Sequence, residues 1–192
     1  MADLSPFRAW RYSAAAGPLQ DLVTQPYDKI TPAMRERYLS LSPYNLVRLI
    51  LDKPLDADNE ADNPYTRAAR RLDEWTSAGI LEQEPAAAFY AYFQEFQEPD
   101  SGERLLRKGL IGLGAVEDHS AGVVHRHELT LAGPKQDRLE LLRRLRMHFG
   151  QIFMLYSDPA CEVEAVLDEA AGDDPIASVA DEYGALHRVW RV

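Results

Sequence analysis

Phe89-Tyr90-Ala91-Tyr92-Phe93-Gln94-Glu95-Phe96, followed by Pro99-Asp100-Ser101-Gly102 and then Arg104 to Val116, decides the fold class of this chain. The first stretch alternates with the period of a strand, and the Pro-Asp-Ser-Gly turn sends the chain back, so a long antiparallel hairpin is expected. Working outward, Phe7-Arg8-Ala9-Trp10-Arg11-Tyr12 alternates in the same way. Ile176 to Ala180 and Ala185 to Val192, joined by Asp181-Glu182-Tyr183-Gly184, read as a second hairpin. Leu46 to Leu51 and Ile152 to Tyr156 are short apolar runs, expected as buried strands.

Helix signals lie between these strands. Thr31 caps a helix with Pro32 at its first position, running through Met34, Tyr38 and Leu41 and stopping near Pro43. Asn63, Pro64 and Gly79 bracket a second, whose Ala68, Leu72, Trp75 and Ala78 recur at helical spacing. The acidic stretch Asp52 to Asn63 before it reads as an exposed loop. Helices and strands intermix without a strict βαβ rhythm. The expected fold is therefore α+β: a mixed or antiparallel sheet with several helices packed on it, in a single compact domain over residues 1–192.

The 192 residues are 46% hydrophobic and 27% charged, the balance of an ordinary globular protein. The longest apolar run, Leu110 to Val116, is broken by glycines and is too short to span a membrane. The N-terminus carries no signal-peptide pattern. A single cysteine, Cys161, leaves no internal disulfide and no thiolate metal cluster, and the acidic helix it opens disfavours a reactive thiolate. A cytoplasmic location is expected. A net charge of −10 argues against nucleic acid as a partner. Locally the sign reverses: Pro134 to His148 holds five fixed cations against two acids, an excess suited to a small anion. For Arg143, Arg144 and Arg146 the simpler reading is a solvated helix face.

Chemistry concentrates in Val124 to Arg138, where His125, His127, Glu128, Thr130, Lys135, Asp137 and Arg138 surround a Gly-Pro turn. A zinc-protease motif is absent, because Leu131 stands where the second histidine would be needed. His125, His127 and Glu128, with His119, form an alternative metal set. The acid–base reading is stronger, since a carboxylate beside a histidine favours its charged form. Lys135 and Arg138 are spaced for one helical turn to present both to an anion, and a helix N-terminus near Pro134 would add backbone N–H groups. Asp137 suits either a divalent ion or the helix dipole. Two Pro-Tyr turns, Gln25-Pro26-Tyr27-Asp28 and Ser42-Pro43-Tyr44-Asn45, present short polar side chains. Arg48, inside an apolar run, calls for a dedicated anionic partner.

Several of these segments occur together in one order: Pro6 to Tyr12, Pro26-Tyr27-Asp28-Lys29-Ile30, Ser42 to Leu49, His127-Glu128-Leu129-Thr130, Gly133 to Leu139, Ile152 to Tyr156 and His187 to Trp190. The set resembles the prokaryotic family known as domain of unknown function 1015 (DUF1015), over essentially the whole chain. Gln25, where the family usually has proline, and Gly150-Gln151, in place of a Ser-Pro-like pair, depart from it. Members are typically about twice this long. Beyond the position of Val192 they carry an Ala-Asp-Gly-His-His-Arg segment similar to the phosphate-binding motif of the partition-protein B and sulfiredoxin superfamily, which includes free-serine kinases.

The resemblance implies that the chain is an N-terminal half, inactive alone because the phosphate-binding half is missing. It implies a site lined by Tyr27, Asp28, Asn45, Arg48, His127, Glu128, Thr130, Lys135, Asp137 and Arg138. The expected function is phosphotransferase-like chemistry on a small metabolite such as serine or phosphoserine, with ATP or ADP and Mg²⁺. His127 or Glu128 would be general base or acid, Lys135 and Arg138 would hold phosphate or carboxylate oxygens, and Asp137 would help place Mg²⁺. Arg48 would orient the acidic end of the substrate. The alternative is a non-catalytic recognition module, docking on a separate C-terminal half or on its own copy through an exposed strand edge.

Overall fold

The computed structural model describes residues 2–125 and 132–192. Among them are strands β1 (Leu4–Ser5), β2 (Trp10–Tyr12), β3 (Leu81–Gln83), β4 (Tyr90–Gln97), β5 (Arg104–Ile111), β6 (Leu113–Gly114), β7 (Ala177–Ala180) and β8 (Leu186–Arg191). The helices are α1 (Pro32–Leu41), α2 (Val47–Ile50), α3 (Pro64–Ser77), α4 (Ala132–Leu145) and α5 (Glu162–Ala170). The fold is α+β, as its sequence pattern implies. Contacts gather into two compact units, each assembled from segments distant in sequence. One draws on Met1–Ala9, Gln83–His125 and Ile152–Val192, the other on Trp10–Glu82 and Arg126–Gln151, through their described residues.

The first unit is built on a four-stranded antiparallel sheet in the order β5-β4-β8-β7. Its centre is the alternating stretch that opens the argument. Ala91 and Phe93 of β4, with Trp190 of β8, share a core with Leu167 of α5, and Leu110 and Val163 pack against it. That apolar face, given by the period of two, is what α5 covers. Lys108 on β5 reaches across to Glu164 and Asp168 of α5, each at 2.7 Å, pinning the helix to the sheet. Trp190 donates its indole N–H to the Asp173 carbonyl at 2.8 Å. After β5 the chain kinks at Gly112, where a Cβ would stand 2.8 Å from the Phe89 ring. The kink lets β6 leave the hairpin and pair with β1, so the expected single strand from Arg104 to Val116 is two.

The second unit is mainly helical. Thr31 caps α1 by accepting from the Met34 N–H at 3.2 Å, with Pro32 at the first position. Asn63 opens α3 in a reciprocal capping box with Thr66, and Gly79 follows its end at φ +67°. Ala68, Leu72 and Trp75 then meet Leu22, Leu49 and Ile50, together with Leu141 and Leu145 of α4. The Asp52–Asn63 loop is largely exposed, as expected, yet fastened at its base. Arg67, buried on α3, binds Asp52 at 3.0 Å, Asp58 at 2.6 Å and the Lys53 carbonyl at 2.9 Å.

Two expected strands are absent. Leu46 to Leu51 instead carries the short helix α2, with Val47, Leu49 and Ile50 buried. An all-round apolar run of this length has no period to separate helix from strand, and its polar partners decide. The Asn45 side chain takes the Val47 N–H at 3.0 Å, while Arg71 and Arg138 donate to the carbonyls of Arg48 and Ile50 at 3.1 Å and 2.9 Å. These contacts satisfy both ends of a single helical turn. Ile152 to Tyr156 pairs with no strand among the described residues, and its five side chains are 52–87% exposed. Apolar composition alone expected burial there, but burial needs a neighbouring surface, which an apolar run does not itself specify.

Candidate functional site

The expected site residues that the structure describes lie in the second unit, around α2 and the start of α4. His127, Glu128 and Thr130 lie outside the described residues. Tyr27 and Asp28 belong to a 3₁₀ turn, Tyr27–Lys29, entered from Pro26; Tyr27 is half-buried and Asp28 exposed. The Arg138 guanidinium stacks 4.3 Å from the centre of the Tyr27 ring. It also donates to the Ile50 carbonyl and, through Nε at 2.9 Å, to Asp137 Oδ2. Asp137 Oδ1 accepts from the Tyr65 hydroxyl at 2.8 Å. Tyr27, Arg138, Asp137 and Tyr65 therefore form one connected cluster. The cation–π stack joins it to the Pro-Tyr turn, and the Ile50 carbonyl joins it to α2.

This geometry fixes what each group can do. Asp137 accepts from the Tyr65 hydroxyl through one oxygen and from Arg138 through the other, and so orients Arg138. Tyr65 has its hydroxyl pushed up to about 12, by burial first and by the hydrogen bond to Asp137 next. Asp137→Asn should bring that titration part of the way back toward the ordinary value near ~10, read by NMR of isotope-labelled tyrosine. An unchanged titration would show that the hydrogen bond does not govern it. Lys135 lies exposed on the first turn of α4, with no hydrogen bond or ion pair among the described residues. It is an available cation at a helix start. Arg143, Arg144 and Arg146 are exposed, a solvated face as their spacing suggested.

Asn45 and Arg48 serve the architecture around them. Asn45 is fully buried, donating from Nδ2 to the Asp21 and Val23 carbonyls at 2.8 Å and 3.4 Å. Arg48, expected to have an anionic partner, donates instead to the Leu39 and Ser42 carbonyls at 2.5 Å and 3.2 Å. Those are end-of-helix carbonyls of α1, where a cation is favourable. Sequence reading missed Tyr65 and Arg71, although both lie on α3; their roles depend on partners outside that helix.

In the first unit, the Tyr92 hydroxyl and His187 Nδ1 are 2.6 Å apart, and His187 Nε2 is 3.4 Å from Asp181 Oδ2. Asp181 Oδ1 already accepts from the Tyr183 and Ala185 N–H groups, so this row of polar groups clips the β7–β8 turn. His119 binds the Val124 carbonyl at 3.1 Å, and no group of three or more His, Cys, Asp or Glu among the described residues is placed to hold a metal ion. No helix among them is long and apolar enough to cross a membrane.

A family model described as "Protein of unknown function (DUF1015)" matches residues 4–192. No curated protein and no solved structure matches the chain.

Proposed function

This chain belongs to the DUF1015 family of proteins of unknown function, and on that premise we propose that it is the substrate-side part of a phosphotransferase-like enzyme acting on a small anionic metabolite such as serine or phosphoserine. The observation that carries the reading is the Tyr27–Arg138–Asp137–Tyr65 cluster, with exposed Lys135 on the same first stretch of α4. Phosphoryl transfer asks a protein mainly for positioning and for cations near the moving phosphoryl oxygens. Lys135 supplies an exposed ammonium, and Asp137 and Tyr27 hold Arg138 in one orientation. The metabolite hydroxyl attacks the terminal phosphorus of ATP or ADP, a new O–P bond forms, and the bridging P–O bond breaks. The hydroxyl proton passes to His127 or Glu128, the acid–base role that the family resemblance gives them. The sulfiredoxin-like resemblance assigns the nucleotide phosphates to a Gly-His-His-Arg segment, which the 192 residues do not contain.

Calorimetric titration of the chain with ATP, ADP, phosphoserine and serine, with and without Mg²⁺, tests this reading. Binding of a phosphorylated ligand should weaken about tenfold in Lys135→Ala, the loss of one charge-assisted contact. Lys135 is exposed and makes no hydrogen bond or ion pair among the described residues, so the variant should fold as the parent does. Absence of binding by the folded chain would instead favour the interaction-module reading. One observation supports that second reading: the consecutive exposed apolar side chains from Ile152 to Tyr156.

A further inference from the structure

Arg71, Glu74 and Trp75 lie on a single face of α3 at helical spacing, and Ala78 follows at its C-terminal cap. Together with Pro43, Tyr44 and Arg48 they line a cleft of about 370 Å³. None of Tyr27, Asp137 or Arg138 takes part in it. The Tyr44 and Trp75 rings meet edge to face at 5.8 Å and give the cleft an aromatic wall. The Tyr12 hydroxyl, donating to the Tyr44 carbonyl at 2.8 Å, holds that wall in place.

Charge in the cleft is incompletely matched. The contacts of Arg48 are two carbonyls, which fix its guanidinium without neutralising it. Arg71 binds Asp52 at 2.7 Å, a carboxylate it shares with Arg67 at 3.0 Å, while Arg67 also has Asp58 at 2.6 Å. Burial, then the field of Arg71, holds Arg48 below the ordinary arginine range, against the opposing pull of Asp52. On the other side, Glu74 is exposed, and its carboxylate makes no hydrogen bond or ion pair among the described residues. One guanidinium held by carbonyls alone, a second beside it, the exposed Glu74 carboxylate and the half-buried Tyr44 ring, backed by Trp75, make a surface for a molecule with both signs of charge and an apolar body.

We propose that this cleft binds an amino-acid zwitterion with an apolar side chain. Its carboxylate goes to Arg48 and Arg71, its ammonium to Glu74, and its side chain against Tyr44 and Trp75. The inference goes beyond the phosphotransferase reading and uses no residue of α4.

The test is calorimetry on the full 192-residue chain with phenylalanine, phenylpropionate (no ammonium) and phenethylamine (no carboxylate). Phenylalanine should bind, and each single-charge analogue should bind about tenfold more weakly, the loss of one charge-assisted contact. Glu74→Gln should reduce phenylalanine to the level of phenylpropionate. Arg71→Gln should weaken both carboxylate ligands while leaving Asp52 with Arg67. Lys135→Ala, the variant that tests the phosphotransferase reading, should leave phenylalanine binding unchanged, so the two ideas fail separately. No binding of phenylalanine by the folded chain overturns the proposal. So does binding that is indifferent to Glu74→Gln and Arg71→Gln, or phenylpropionate binding as tightly as phenylalanine.

Discussion

Asn45→Ala should destabilise the protein by about 3 kcal/mol, although it removes only a few atoms. The Asn45 side chain is fully buried and joins three backbone groups that have no other partner shown: it donates to Asp21 and Val23 and accepts from Val47. Alanine leaves the two part-buried carbonyls and the buried N–H without that partner, each at a desolvation cost of about 1–3 kcal/mol, partly relieved where water reaches them. Asn45→Asp should cost at least as much, because a carboxylate would face two carbonyl oxygens. Urea unfolding followed by tryptophan fluorescence measures the loss. Hydrogen exchange at Val47 should rise well before global unfolding, since its N–H bond to Asn45 starts α2. A variant of unchanged stability would refute this account and return Asn45 to a role in ligand binding alone.

Arg67→Met comes next, with an expected loss of about 2–3 kcal/mol. Removing one partner of a fully buried ion pair costs roughly 3–5 kcal/mol. The figure here is lower because Asp52 keeps Arg71 at 2.7 Å, and methionine retains part of the packing. The consequence is local before it is global: the loop from Lys53 to Asp62 loses the cation that ties Asp58 and the Lys53 carbonyl to α3. Limited proteolysis should cut the variant in that loop and spare the parent.

A pH dependence follows from the same pair. The hydrogen bond from Arg67, then that from the Leu55 N–H, holds the Asp58 carboxyl below the usual carboxylate range. A carboxyl depressed in the folded state stabilises above its unfolded value, near ~4, and that contribution disappears as pH falls through the folded value. Acidification below about pH 4 should therefore loosen the loop. Both Asp58→Asn and Arg67→Met should flatten this part of the pH profile. A parent-like acid limb in Arg67→Met would mean the pair is not its source.

The 192-residue sequence determined by itself the features that close over short distances. Thr31 and Asn63 lie within a few residues of the amides they cap, the Phe89–Phe96 alternation assigns side chains to faces without outside help, and the Asp181–Gly184 turn returns the chain on itself. Such signals need only neighbours along the chain, so α1, α3 and both hairpins were legible. The dense inventory at the start of α4 was legible as composition; the stacking of Arg138 on Tyr27 and its bond to Ile50 were not. Only the tertiary structure decided that Leu46 to Leu51 coils rather than extends, because the groups that satisfy its carbonyls arrive from Arg71 and Arg138 on two other helices. It also decided that Asn45 and Arg67 are buried joints, and that Ile152 to Tyr156 remains uncovered. An unperiodic apolar run specifies a preference for burial and nothing about the surface that meets it. A polar side chain likewise carries donors and acceptors whose partners, tens of residues away, are chosen by packing.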